Sequence, residues 1–240
     1  MNDSYEYNYG SAIADGNQCG SANQNNEGFC YNREHSLPKN YFGGQSASPM
    51  SSDANFIIPS DYYVNYQRSD YNYGEVGTAT KTFSNGTKIG NYIPPDYNNI
   101  VFDLIDEFKG DFARMHLYFI TRYERRLPSF YALNKPETPI DGSTYQGFTT
   151  CYLQMLLRWA TQDPVSQKEI DRNKAVYVFQ GNRNPLIVHP EWISKIWTSN
   201  MSTDDLVFSK NYKIYPNPLK SSGTISVDGK NLQHRTKARI

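Results

Sequence analysis

The chain has 240 residues and balances 24 Lys plus Arg against 24 Asp plus Glu, so no overall field draws it to nucleic acid or to a membrane surface, and any phosphate-binding surface must be a local cluster of cations. Aromatic residues make up 15%, with 20 Tyr and 12 Phe, enough for one well-packed domain and a short appendage despite a mean hydropathy of -0.71. No stretch of about 18 apolar residues occurs, which excludes a membrane-spanning helix.

Met1 is followed at once by polar residues, without the basic start and apolar stretch of an export signal, which reads as a signal already removed or as a fragment. Residues 1–30 read as an irregular arm rich in Asn, Gly, Ser and Tyr. Within it Cys19 and Cys30 are expected to pair, closing a loop worth roughly 3 kcal/mol in an oxidising compartment, the alternative being two free loop thiols. Zinc is the weaker reading, because only His35 is near in sequence and there is no second Cys pair. From Tyr31 to Gly90 short segments alternate with turn residues, and Thr78–Phe83 and Thr87–Ile89, joined across Ser84-Asn85-Gly86, predict a hairpin.

From Val101 to Arg126, Leu104, Ile105, Phe108, Phe112, Met115 and Phe119 recur at three- and four-residue intervals and predict one amphipathic helix, with a kink or break at Gly110. Its polar side, with Lys109, Arg114, Arg122, Arg125 and Arg126, reads as a solvated face, phosphate contact being the alternative. A second helix fits Phe148 to Ala160, turning Tyr152, Met155, Leu156, Trp159 and a buried Cys151 thiol inward. A third opens at Asp163-Pro164 and stops at Gly181, with Ile170, Asn173, Tyr177 and Gln180 near one another on one face. After Trp197 the pattern fades, and Gly223–Val227 reads as a β segment. Strands and loops first, helices after, imply an α+β fold. The expected division is the arm (1–30), a folded domain (31–200), a linker (201–212) and a tail (213–240).

Cutting a phosphodiester bond requires a base to activate water, a cation to neutralise charge on the phosphate and a group to stabilise the leaving oxygen. Of the four histidines, His35, His116, His189 and His234, only His35 sits beside an acidic residue in a loop or strand context. A neutral imidazole suits the role of base. Glu34 offers a carboxylate and Asn65 a side-chain carbonyl, an oxygen pair sufficient for Mg²⁺ completed by waters and phosphate. On a regular strand Glu34 and His35 point to opposite faces, so a site shared by both demands an irregular backbone there.

The run Cys30-Tyr31-Asn32-Arg33-Glu34-His35-Ser36-Leu37-Pro38-Lys39, followed by Phe42-Gly43-Gly44, resembles the Asn-Arg-Glu-His-Ser-Trp-Pro signature of the bacterial endonuclease I family. Pro59-Ser60-Asp61, Val64-Asn65, Arg68-Ser69, Gly74-Glu75-Val76-Gly77, Asp163-Pro164-Val165-Ser166 and Gln180-Gly181-Asn182-Arg183-Asn184-Pro185 follow that family's order. The resemblance implies a ββα-metal, or His-Me finger, core with additional packed helices, and a nuclease of little sequence preference acting on DNA or RNA. Carried onto this chain, it makes His35 the general base, Glu34 and Asn65 the ligands of Mg²⁺ or Mn²⁺, and Arg68, Arg33, Arg183 and Asn184 the groups that meet phosphate. It also implies a protein that is secreted or held at the cell surface, and a monomer is expected. The tail from Lys213 resembles the start of the Tyr-Pro-Asn-Pro sorting domain of type IX secretion. One block departs from the family: Asp53-Ala54-Asn55-Phe56-Ile57 stands where Asp-Leu-His-His-Leu is usual, and Asp70 replaces an Asn. Loss of the histidine pair leaves a second reading open, a relative that binds nucleic acid but cuts poorly.

Overall fold

In the computed structural model the described residues are 18–19, 25–93 and 99–198, together with three later strands. The chain divides into two compact units, Met1–Pro190 and Glu191–Ile240. The second holds a short helical stretch from Glu191 to Thr198 and a three-stranded antiparallel sheet of Tyr212–Tyr215, Thr224–Gly229 and Thr236–Arg239; the middle strand covers most of the β segment read from the tail. The expected linker lies outside the described residues apart from Tyr212.

The first unit is α+β. Strand β1 (Tyr31–His35) pairs antiparallel with β2 (Ile57–Asp61), Glu34 opposite Ile58 and His35 opposite Ile57. Helix α1 (Tyr62–Arg68) follows without a loop, because Asp61 closes β2 and caps the helix, its Oδ1 accepting from Val64 N at 2.9 Å. A second sheet joins β3 (Val76–Thr82), β4 (Lys88–Tyr92) and β5 (Ile100–Asp103) in that order, all antiparallel. The predicted hairpin is its first pair. Its third strand takes residues assigned to a helix by periodicity: Val101 and Phe102 are both buried, and a continuous apolar run does not distinguish a fully covered strand from a helix turn.

Helix α2 (Asp106–Arg122) is the spine of the unit, with every residue from Phe112 to Ile120 buried. It runs unbroken through Gly110. The glycine is there for a close approach rather than a kink, since a Cβ would meet the Asp163 carbonyl oxygen at 2.0 Å, and Gly110 N donates to Asp163 Oδ2 at 2.8 Å. A short α3 (Leu127–Tyr131) follows, then α4 (Thr150–Gln162), which lays Leu153, Met155, Leu156 and Trp159 into the core. Cys151, expected to be buried, is exposed one position off that stripe. Asp163 closes α4 instead of opening the next helix. Helix α5 (Gln167–Gln180) starts from a capping box in which Ser166 and Glu169 satisfy each other's backbone N–H, and it ends at Gly181 in the left-handed region. Its buried face is Glu169, Asn173 and Val176, so Tyr177 turns outward, contrary to the expected grouping. Helix α6 (Pro185–Val188) completes the unit.

Arg114 is not part of a solvated face. It is buried, with Nε and Nη2 donating to the two carboxylate oxygens of Glu169 at 2.7 Å each, and it anchors α5 to α2.

Candidate active site

Strand β1 is regular, so Glu34 and His35 face opposite ways and no irregular backbone brings them together. Glu34 is turned toward α1. His35 is turned toward the long loop between β1 and β2, where its Nε2 lies 3.0 Å from the Ser51 carbonyl oxygen. A carbonyl only accepts, so Nε2 carries the proton and Nδ1 is left as the basic atom. Burial pushes the imidazole below its usual range, Lys39, Arg33 and Arg68 push in the same direction, and the Ser51 bond opposes them. The ring is therefore neutral at pH 7, the state a proton acceptor needs.

Ser51 N donates to Ala47 O at 2.9 Å, and two residues further on the same loop enters a buried polar network around Asp53. Its Oδ2 accepts from Tyr118 Oη at 2.8 Å and Tyr123 Oη at 2.7 Å, and its Oδ1 accepts from Asn55 N at 3.0 Å and Gln180 Nε2 at 2.8 Å. Ala54 N donates to Gln180 Oε1 at 2.9 Å, and the Arg172 guanidinium donates to the carbonyls of Ala54 and Ile57. The two departures from the family pattern belong to this arrangement. Asn55 Nδ2 donates to Tyr118 Oη at 3.1 Å, and the fully buried Phe56 ring sits edge-on to His35 with centroids 6.1 Å apart, packed on Phe42 and Phe119. Phe56 packs directly on the His35 ring, while Asn55 bonds within the Asp53 network.

On the other face, Asn65 Nδ2 donates to Asn32 Oδ1 at 2.7 Å, which turns its own Oδ1 away from that bond. One helical turn further on, Arg68 is fully buried. Its Nη1 pairs with Glu34 Oε1 and donates to His35 O at 3.1 Å, while Nη2 donates to Ser36 O at 3.0 Å and Nε to Tyr71 O at 3.0 Å. The guanidinium also stacks 4.5 Å from the Tyr73 ring centroid. Arg68 thus clamps β1 to α1 and is not placed to meet a phosphate. Glu34 Oε1 also accepts from Tyr73 Oη at 3.2 Å, and no bond among the described residues falls on Oε2. Burial pushes the Glu34 carboxyl up, with Arg68 and Tyr73 pulling it back.

The chemistry of this donor set fits a hard divalent cation. Glu34 Oε2 and Asn65 Oδ1 are both oxygen donors, and no group of three His, Cys, Asp or Glu side chains suited to a metal occurs among the described residues.

His35, Arg33, Lys39 and Arg122 line one cleft of ≈ 1210 Å³, a local concentration of positive charge in a neutral chain. Arg122 was visible in sequence only as part of a helical charge stripe, and Lys39 only as the end of the signature. Asn184 is not available to substrate. It is fully buried, caps α6 through Oδ1 and Leu186 N, donates from Nδ2 to Arg114 O at 3.0 Å, and its backbone N and O bond the Asn173 side-chain amide. Arg183 is exposed but does not line the His35 cleft; its guanidinium lies 4.4 Å from the Tyr177 ring centroid. Cys19 and Cys30 are joined by a disulfide, Cα atoms 5.4 Å apart, and Cys19 N donates to Tyr31 O at 2.8 Å, so the bridge lies at the entry to β1.

Two curated relatives are similar to the chain over 170 residues: an extracellular ribonuclease of Bacillus amyloliquefaciens, 34% identical, and one of Bacillus subtilis (strain 168), 32% identical. In each case the match covers 70% of this chain and 54% of the relative, so the chain spans about half the length of the curated relatives it matches. The family model described as Endonuclease I matches residues 1–191, the whole of the first unit with the His35 site in it, and on that match the chain belongs to the endonuclease I family.

Proposed function

We propose that the chain is a divalent-metal-dependent endonuclease that hydrolyses phosphodiester bonds in RNA or DNA with little sequence preference, on a ββα-metal core formed by β1, β2 and α1. The observation that carries the reading is His35, held by Ser51 in one tautomer and kept neutral at the edge of a cationic cleft. His35 Nδ1 takes the proton of the attacking water. Arg33, Lys39 and Arg122 balance the charge of the bound phosphates without entering an ion pair among the described residues. Glu34 and Asn65, on the face of β1 opposite His35, would hold Mg²⁺ or Mn²⁺, whose chemistry is to neutralise charge on a phosphate. Acting on the same phosphate as His35 requires the bound substrate to reach both faces at the end of the strand. The names of the two relatives favour RNA as a substrate and work outside the cell, and the disulfide is consistent with an oxidising compartment.

One observation favours a second reading, a family member that binds nucleic acid and cuts poorly. The Arg68 cation already sits on Glu34, competing with a metal for the same carboxylate.

Incubation of purified protein with plasmid and with RNA, in Mg²⁺ and in excess EDTA, separates the two. Cleavage in Mg²⁺ that stops on chelation is the expected result, and cutting undiminished in EDTA removes the metal-dependent mechanism. His35→Ala is expected to slow cleavage roughly 10²–10⁴-fold with binding nearly intact. Wild-type protein that binds but does not cut in Mg²⁺, nor when Mn²⁺ replaces it, leaves the second reading.

A further inference from the structure

Helix α5 inverts the usual distribution of side chains. It buries Glu169 and Asn173 beside Val176 and leaves Val178 and Phe179 out in solvent at 86% and 82% exposure. Phe179 also lines the cleft that holds His35. It is not on a loose end, because the next residue, Gln180, is fixed by bonds to Asp53 Oδ1, Ala54 N and Asn182 Oδ1. The ring is thus an exposed aromatic surface, carried on an anchored helix end, on the wall of a cleft that also carries Arg33, Lys39 and Arg122. The Asp53 carboxylate in the same wall is buried, with both oxygens engaged by hydrogen bonds, against three cations that line the cleft.

We propose that the His35 cleft takes its substrate as a single strand, with one unpaired base stacked on Phe179 while the flanking phosphates lie against Arg33, Lys39 and Arg122. A polyanion answers the cations, and a flat apolar face answers the ring; a single-stranded polynucleotide supplies both within one nucleotide. A duplex does not, because its base faces are covered by neighbouring pairs and only its phosphates and groove edges are presented. Stacking also tolerates any sequence, since every base has a π face. The proposal rests on the nuclease reading for its cleavage consequences and stands apart from it for binding.

The test uses a short fluorescent oligoribonucleotide, single-stranded or annealed to its complement, titrated with full-length protein in EDTA and read by anisotropy. Phe179→Ala is expected to weaken single-strand binding roughly 5–100-fold and to leave duplex binding unchanged, and Phe179→Trp is expected to retain wild-type affinity. Because Phe179 is exposed, both variants are expected to melt with the wild type. In cleavage assays Phe179→Ala is expected to raise KM for the single strand while kcat changes less than about twofold, the pattern of lost ground-state binding. Equal weakening of both nucleic acids, or no weakening of either, overturns the stacking role. Absence of cleavage by wild type removes the nuclease reading, and the anisotropy result still decides the platform.

Discussion

Two buried arginine–glutamate pairs hold the first unit together, and they are built differently. Arg114 meets Glu169 through two parallel bonds, one to each oxygen, and the second oxygen also accepts from Ser166 N at 3.0 Å. Both oxygens of that carboxylate are engaged, and Arg114 also donates to the carbonyl of Asp163 at 2.8 Å and meets Asp111 Oδ1 at a longer 3.3 Å. Arg68 meets Glu34 through Oε1 alone, with Tyr73 on the same oxygen. Buried ion pairs are poor sources of net stability, but removing one partner is strongly destabilising because it strands the other charge. The closed pair is therefore a scaffold joint between α2 and α5, whereas the open pair leaves one carboxylate oxygen to be completed by something that binds.

The sharpest way to break this contrast is Glu169→Ala, expected to lower stability by about 3–5 kcal/mol in urea unfolding. A loss under about 1 kcal/mol would mean that the closed pair is no scaffold. Glu34→Gln keeps an oxygen for Arg68 and Tyr73, so a smaller loss of about 1–3 kcal/mol is expected, together with disappearance of Mg²⁺ or Mn²⁺ binding in calorimetry. Equal stability losses, with metal binding retained, would erase the distinction between the pairs. Gly110→Ala probes the scaffold from its backbone side, where the added methyl collides with Asp163; overpacking of this kind costs about 1–3 kcal/mol, read as a lower urea midpoint with unchanged m-value.

The smallest effect concerns His116, which is fully buried between the two regions with its ring 5.6 Å from that of Tyr73. Burial pushes its pKa down to about 3. The unfolded chain therefore takes up the proton first as pH falls below the usual histidine value. The contribution of a neutral His116 is fully present above that value and is lost progressively toward pH 3. Between pH 6 and pH 5 the loss is about 1 kcal/mol. Substituting His116→Phe is expected to flatten that part of the stability–pH curve, and an unchanged slope would assign the acid sensitivity to other groups.

The reach of sequence reasoning follows the distance over which each feature is decided. The β3–β4 hairpin was legible because Ser84-Asn85-Gly86 fixes its turn locally, and α4 because its apolar residues recur on one stripe. Strand β5 was not, since Ile100-Val101-Phe102 is apolar on both faces and carries no period. Asp163-Pro164 looked like a helix start, yet Ser166 with Glu169 makes the complete capping box and takes the role. At the site, His35 stood out by its neighbour and its signature. The use of Arg68 did not, because an arginine beside a phosphate and an arginine clamping a strand look alike until its carbonyl partners are known. The polar network around Asp53 was hidden altogether: Tyr118, Tyr123 and Gln180 lie 65, 70 and 127 residues from Asp53.

Those separations bear on the order of events in folding. The turn and helix contacts of the first unit are local and form early, whereas the bonds that fix the Ser51 loop close long stretches of chain and wait for α2 and the end of α5 to dock. Ser51, the acceptor of the His35 Nε2 proton, lies in that loop. In a refolding experiment, catalytic competence is expected to return with the slowest structural phase rather than with the recovery of helix.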